Sequence, residues 1–247
     1  MKRDTLIGVV AFIALLAGVV GYAALRPAPA KAPGAASSTS SSEHTAYYDI
    51  ATNYASSTPL LTKVSASADA AAVALMKQFV ADTVAQFKTD GNFDHFSAED
   101  IKMMDGRKEK LQIVYLIASS PRTVSYIFTI YMDTLGAHGN TFFKTFTFDT
   151  TNGALLNLAD LFTGAYLSTL STLAREKLPA IIGEGADTAF IQGGTTPEDK
   201  NFANFFFDNQ DIVFVFPPYA VAPYSSGPQT LYIPLSELTS ILKLAYR

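Results

Sequence analysis

The sequence contains no cysteine and no tryptophan in 247 residues. Without thiols there is no disulfide framework, no thiolate metal site and no cysteine nucleophile. Histidine is scarce as well: His44, His95 and His138 are far apart, and each sits near a turn or an element end. Zinc sites need three or four ligands, usually with two of them closely spaced, and neither HExxH nor any paired-histidine spacing occurs here. The three histidines therefore read as surface residues. Also missing are a G-x-S-x-G elbow, a Ser-x-x-Lys pair and a glycine-rich phosphate loop. Positive charge is in short supply, with 18 Lys and Arg against 22 Asp and Glu. Beyond residue 43 the balance is 14 to 20. A nucleic-acid partner, which requires a basic face, is excluded on that ground. An acidic surface suits a basic partner and equally serves solubility.

What the chain does have begins with an apolar run. Leu6 to Leu25 is 20 residues without a charge, preceded by Lys2 and Arg3. That length crosses a bilayer as a helix, whereas a signal peptide has a shorter apolar region. Residues 1–26 are expected to be an uncleaved single-pass anchor, with cleavage at Ala28-Pro29-Ala30 as the alternative. The basic N-terminus and the long polar remainder set the expected orientation, with the N-terminus in the cytoplasm and the bulk outside. Residues 27–43 start with Pro/Ala alternation and pass into Ser37-Ser38-Thr39-Ser40-Ser41-Ser42. With almost nothing apolar to bury, they are expected to form a tether.

Residues 44–247 are long enough to bury a sizeable core. Strands are expected over Tyr47–Tyr54, Leu111–Ala118, Thr123–Met132 and Thr141–Phe148, from the alternation of apolar residues such as Val124, Tyr126, Phe128 and Ile130. The last three read as an antiparallel meander. A helix is expected over Ala68–Lys88, where Val73, Met76, Val80, Val84 and Phe87 recur at helical spacing and Ser67 or Asp69 can cap the start. A second is expected over Ala165–Leu178, capped by Thr163 and closed by Pro179 and Gly183. Gly185–Gly194 reads as loop, Thr196-Pro197-Glu198-Asp199 as a short helix start, and Leu235–Leu244 as a final helix. These elements make an α+β protein, with antiparallel sheets and helices packed on one face.

The densest aromatic and proline segment is Asn201–Leu238. Phe205–Phe207 and Ile212–Phe216 flank the polar cluster Asp208-Asn209-Gln210-Asp211 and read as a β-hairpin. After it, four prolines and a glycine stiffen residues 217–228, which carry Tyr219 and Tyr224. A stiff loop loses little conformational entropy on binding, and amphipathic aromatics are favoured binding anchors. The candidate contact residues are Pro218, Tyr219, Pro223, Tyr224 and Gly227. They serve equally well as a lid over the sheet end.

The order strand, Tyr, small residues, Pro-Tyr, Gly, strand, Ile-Pro, Leu in this segment resembles the extracytoplasmic domain pair of the RsiV/PdaC type. RsiV is a lysozyme-sensing anti-sigma factor and PdaC a peptidoglycan deacetylase. Phe148-Asp149-Thr150-Thr151-Asn152-Gly153, followed by Leu156, Leu158 and Asp160-Leu161-Phe162, is similar to a second signature of that family. Residues from about Tyr47 to Asp133 resemble the partner domain that precedes it. The resemblance implies two subdomains, 44–140 and 141–247, of an extracytoplasmic module whose relatives meet lysozyme or the peptidoglycan wall. About five residues precede the apolar run, too few for a sigma-binding segment, and the His and Asp motifs of the deacetylase are missing. Neither signalling nor deacetylation is expected to carry over.

Other chemistry has thinner support. Asp90, Asn92 and Asp94 alternate as calcium ligands do, but the sixth position is His95 rather than glycine and the twelfth is Ile101 rather than glutamate. A glycosidase needs two carboxylates across a cleft, and no spacing selects a pair among Asp133, Asp149 and Asp160. Asp149 and Asp160 read as turn and cap residues. Arg107, Lys108 and Lys110 form a small basic turn. No cofactor and no catalytic residue is expected. The reading is a membrane-tethered extracytoplasmic binding protein for a lysozyme-type wall hydrolase, as inhibitor or sensor-like module. A peptidoglycan or wall-polysaccharide binding module and an unrecognised wall hydrolase are the alternatives.

Overall fold

The computed structural model describes residues 36–247, and these fall within one compact unit. The expected anchor and residues 27–35 of the expected tether lie outside the described residues. Among the described residues, no helix is long and apolar enough to cross a membrane.

Two sheets carry the fold. The first has the order β1-β2-β3-β4-β5, with β1 Ser38–His44, β2 Tyr48–Ala55, β3 Glu109–Ser119, β4 Thr123–Asp133 and β5 Asn140–Asp149. The second has the order β6-β7-β8, with β6 Phe205–Asp208, β7 Asp211–Phe216 and β8 Gln229–Pro234. The meander β3-β4-β5 and the β6-β7 hairpin match expectation. β2 and β3, however, run parallel, because the long helix between them carries the chain back to the same end of the sheet. β5 lies beyond position 140 and is paired with β4 along its whole length.

The helices of seven residues or more among the described residues are α1 Ala66–Gly91, α2 Tyr166–Ile182 and α3 Thr188–Gly194. Ser65, rather than Ser67 or Asp69, caps α1 by accepting a hydrogen bond from the Ala68 amide at 3.0 Å. Asp69 instead accepts the Thr58 amide at 2.6 Å. The helix stops where Asn92 turns left-handed, at φ 51°. Ala72, Met76, Val80 and Phe87 are buried on one stripe against Tyr126, Phe128 and Phe146 of the first sheet. α2 runs through Pro179 and ends a turn later at Gly183, φ 71°. Proline removes one backbone bond there, and the packing of Leu178 and Ile182 on the second core holds the last turn. No side chain caps its start. Thr163 instead bonds the Ile241 carbonyl.

Strand alternation puts a different core on each face. On the first sheet, Val124, Tyr126, Phe128 and Ile130 face α1, while Ile127 faces the second sheet. On the second sheet, Phe205, Phe207, Ile212, Phe214 and Ile233 face α2, while Phe206, Val213 and Val215 face back to Ile127. Among the described residues the layers therefore run helix, sheet, sheet, helix, and each sheet carries helices on one face only. The outer edge of β6 rests on β5 through hydroxyls. The Phe205 amide donates to Thr145 Oγ1 at 3.0 Å, and Thr147 Oγ1 donates to the Phe205 carbonyl at 3.0 Å. Ser125 Oγ, 2.9 Å from Thr147 Oγ1, completes a buried ladder.

Four expected features take another form. Ser38–His44, of which residues 38–43 were expected in the tether, is an edge strand paired with Asp49–Ala55. Its residues are all exposed, so the backbone ladder holds it, together with Asn53 donating to Ser40 at 2.8 Å and Lys88 bonded to Glu43. The expected last helix is two short 3₁₀ turns, Leu235–Leu238 and Leu244–Tyr246, with Leu242 bridged to Phe162 between them. The expected helix start at Thr196 is the 3₁₀ turn Asp199–Phe202, and part of the expected loop 185–194 is α3.

The last turn closes onto the first sheet. Solvent reaches 1% of the Asp149 side chain, which takes Arg122 Nε at 3.1 Å, the Tyr246 hydroxyl at 2.9 Å and the Thr151 amide at 2.7 Å. Burial alone would raise this carboxyl, but the bonds from Thr151, Tyr246 and Arg122 outweigh it and hold it below the usual aspartate range. A depressed carboxyl contributes stability that is complete above its unfolded value of about 3.9 and is lost as pH falls through the folded value. Stability should therefore fall in acid, and Asp149→Asn should flatten that part of the profile while lowering stability at neutral pH. Urea unfolding at pH 7 and at stepped acid pH checks this; an unchanged acid slope in the variant contradicts it.

Candidate functional site

The loop after β7 is fixed from below. Val221 and Ala222 are fully buried, and a Cβ placed on Gly194 at the end of α3 would overlap the Ala220 carbonyl. Only glycine allows that approach. On the other side Pro223 leads into a 3₁₀ turn, Tyr224–Ser226, which Gly227 closes at φ 67°. Gln229 Nε2 donates to the Ser226 carbonyl at 2.7 Å. Pro218 is half-buried beside Tyr219.

Tyr219 and Tyr224 meet at the tip, with ring centroids 5.5 Å apart. A third ring joins them from the β4-β5 turn. His138 stacks on Tyr224 at 3.7 Å between centroids and 20° between planes. The Tyr224 hydroxyl donates to the Gly139 carbonyl at 2.6 Å. His138 Nδ1 lies 3.1 Å from that same carbonyl. A carbonyl only accepts, so Nδ1 carries the hydrogen in this contact. The other ring nitrogen, Nε2, lies 3.3 Å from the Tyr219 hydroxyl.

Tyr219 is 53% exposed and has φ 69°. For a bulky side chain that backbone is an outlier with a strain of about 1–3 kcal/mol. The half-exposed ring leans on Tyr224 and His138, at 5.5 and 6.2 Å between centroids. The result is a small rigid aromatic platform with a polar rim.

Sequence spacing brought out the two tyrosines but not His138, which is about 80 residues away and joins them only through the sheet stack. The other candidates lie elsewhere. Asp90 accepts from Gln86 at 2.7 Å, Asn92 ends α1, and Asp94 lies in the middle of the 3₁₀ turn Phe93–His95. No cluster of three or more His, Cys, Asp or Glu positioned for a metal occurs among the described residues. Asp160 is half of a capping box with Asn157. Lys108 of the basic turn pairs with Asp49 at 3.2 Å. Glu109 carries a buried, unpartnered Oε2. Burial first and Asp133 second raise its carboxyl.

Residues 159–236, which include the loop, match the family model described as "Protein of unknown function (DUF3298)". The peptidoglycan-N-acetylmuramic acid deacetylase PdaC of Bacillus subtilis (strain 168) is 34% identical over 143 residues. The chain is thus similar to DUF3298 over residues 159–236 and to part of PdaC over 143 residues. The aligned residues are 57% of the chain and 31% of PdaC, so the chain spans under a third of that relative's length. Two solved DUF3298 proteins share the fold. One from Bacteroides fragilis NCTC 9343 is 21% identical with a TM-score of 0.57, covering 85% of this chain and 95% of its own. One from Pseudomonas aeruginosa PAO1 is 15% identical with a TM-score of 0.54, covering 87% and 97%. The fold likeness thus extends over most of the chain, while the DUF3298 match covers residues 159–236.

If the Tyr219 backbone is strained, Tyr219→Gly should stabilise the protein by roughly 1 kcal/mol relative to Tyr219→Ala, since only glycine relaxes at positive φ. Thermal or urea unfolding of the two variants tests this; a less stable Gly variant contradicts it.

Proposed function

We propose that this chain is a membrane-tethered, extracytoplasmic binding module that grips the glycan of the cell wall with the Tyr219–Tyr224–His138 platform. The observation that carries the reading is the platform itself: an exposed tyrosine held in a strained backbone conformation, backed by two further rings. Sugar rings present flat C–H faces that stack on such surfaces, and a preorganised loop loses little entropy on contact. The peptidoglycan named in the PdaC relative's activity supports a wall context. The apolar run at Leu6–Leu25 supports the tether.

A second reading, recognition of a lysozyme-type hydrolase, is favoured by one observation. Beyond residue 43 the chain carries 20 acidic against 14 basic residues, and a basic enzyme would be attracted.

Co-sedimentation of the full chain with purified peptidoglycan, in the presence and absence of a basic lysozyme, separates the two. The glycan reading expects the chain in the pellet without any protein partner, and Tyr219→Ala to lower binding about tenfold or more while the unfolding curve stays cooperative. Retention only when lysozyme is added, lost at raised salt, would overturn the glycan reading in favour of the second.

A further inference from the structure

The platform continues along β4. Tyr131 and Asp133 are two residues apart on that strand and so share a face. It is the face on which Ile127 meets the second sheet. A Cβ on Gly139 would overlap the Tyr131 hydroxyl, and Gly139 is the residue whose carbonyl receives Tyr224. Tyr131 therefore reaches Gly139, the residue on which Tyr224 and His138 also converge, and Asp133 follows two residues along the same face of the strand.

Asp133 is half-buried. Its Oδ1 receives the Leu135 amide at 3.0 Å, and no described cation forms an ion pair with it. Lys110 stands opposite it in register on the same face, is exposed, and makes no ion pair with it. Burial first, then Asp133 and Tyr224, raise the Tyr131 phenol above its ordinary range.

We propose that Asp133 and Tyr131 form a subsite for a primary ammonium at the end of the aromatic platform, so that the ligand is an amino sugar with a free amine. This rests on the wall-glycan reading and narrows it. A partly desolvated carboxylate next to aromatic faces suits an organic cation. A charge-assisted hydrogen bond is roughly twice as strong as a neutral one. An N-acetyl group at the same position offers a neutral amide and extra bulk instead. The same ammonium chemistry occurs on the diamino acid of a wall stem peptide, so the probes must distinguish the two sources.

The experiment is a calorimetric titration of the full chain, in a detergent without a sugar headgroup, with three probes. These are a glucosamine tetramer, an N-acetylglucosamine tetramer and a stem tripeptide ending in a diamino acid. The glucosamine tetramer should bind about tenfold more tightly than its N-acetylated form. Asp133→Asn, which keeps the acceptor for the Leu135 amide, should erase that preference. Glu184→Gln, an exposed site that lowers charge equally, should keep the preference. Equal binding of both sugars, insensitive to Asp133→Asn, overturns the ammonium subsite and leaves the glycan reading standing. Loss of the preference in both charge variants overturns it too, because general attraction then explains it. Binding of the tripeptide alone, lost in Asp133→Asn, overturns the amino-sugar assignment. Binding of no probe overturns the glycan reading itself.

Discussion

The two sheets are held together by polar backbone meeting side-chain hydroxyls. β6 has one edge paired with β7, and its other edge would be an open row of donors and acceptors. Thr145 and Thr147 close it by bonding the amide and carbonyl of Phe205, within a ladder that Ser125 extends. Each such bond contributes about 0.5–1.5 kcal/mol net, but a buried group left unpaired costs about 1–3 kcal/mol. The contact therefore selects one docking position, while Ile127, Phe206, Val213 and Val215 supply the apolar burial around it.

Everything at the candidate site depends on that position. The β4-β5 turn brings His138 and Gly139, and the loop after β7 brings Tyr219 and Tyr224. These two segments belong to different sheets and meet only because β6 lies where it does on β5. The clasp at Asp149 fixes a second point, tying the last turn through Tyr246 to Arg122. Two polar anchors and an apolar seam hold the platform rigid enough to keep Tyr219 in a backbone conformation that it would otherwise leave.

Much of this was legible in the sequence where burial sets the pattern. Val124, Tyr126, Phe128 and Ile130 alternate because one face of β4 lies under α1, so periodicity finds the strand. Ser38–His44 gave no such signal, since all its residues are exposed and only the backbone ladder orders it. Thr145 and Thr147 looked like the ordinary polar side of a strand, and nothing local says that they receive another strand's edge. Pro179 reads as a stop signal, yet tertiary packing of Leu178 and Ile182 carries the helix past it. At the site, proline density and paired tyrosines marked the loop. His138 was hidden because its partners are distant in sequence, and the positive φ of Tyr219 is a property of the folded loop rather than of its residue type.

The two sheets act as one unit through the β6 edge, and amide hydrogen exchange at Phe205 tests this. The account predicts that this amide, donated to a threonine hydroxyl on another sheet, exchanges only on global unfolding, as slowly as the core amides of β4. Exchange at the rate of an exposed edge amide, with β4 still protected, would mean that the second sheet lifts away independently, and would contradict the account.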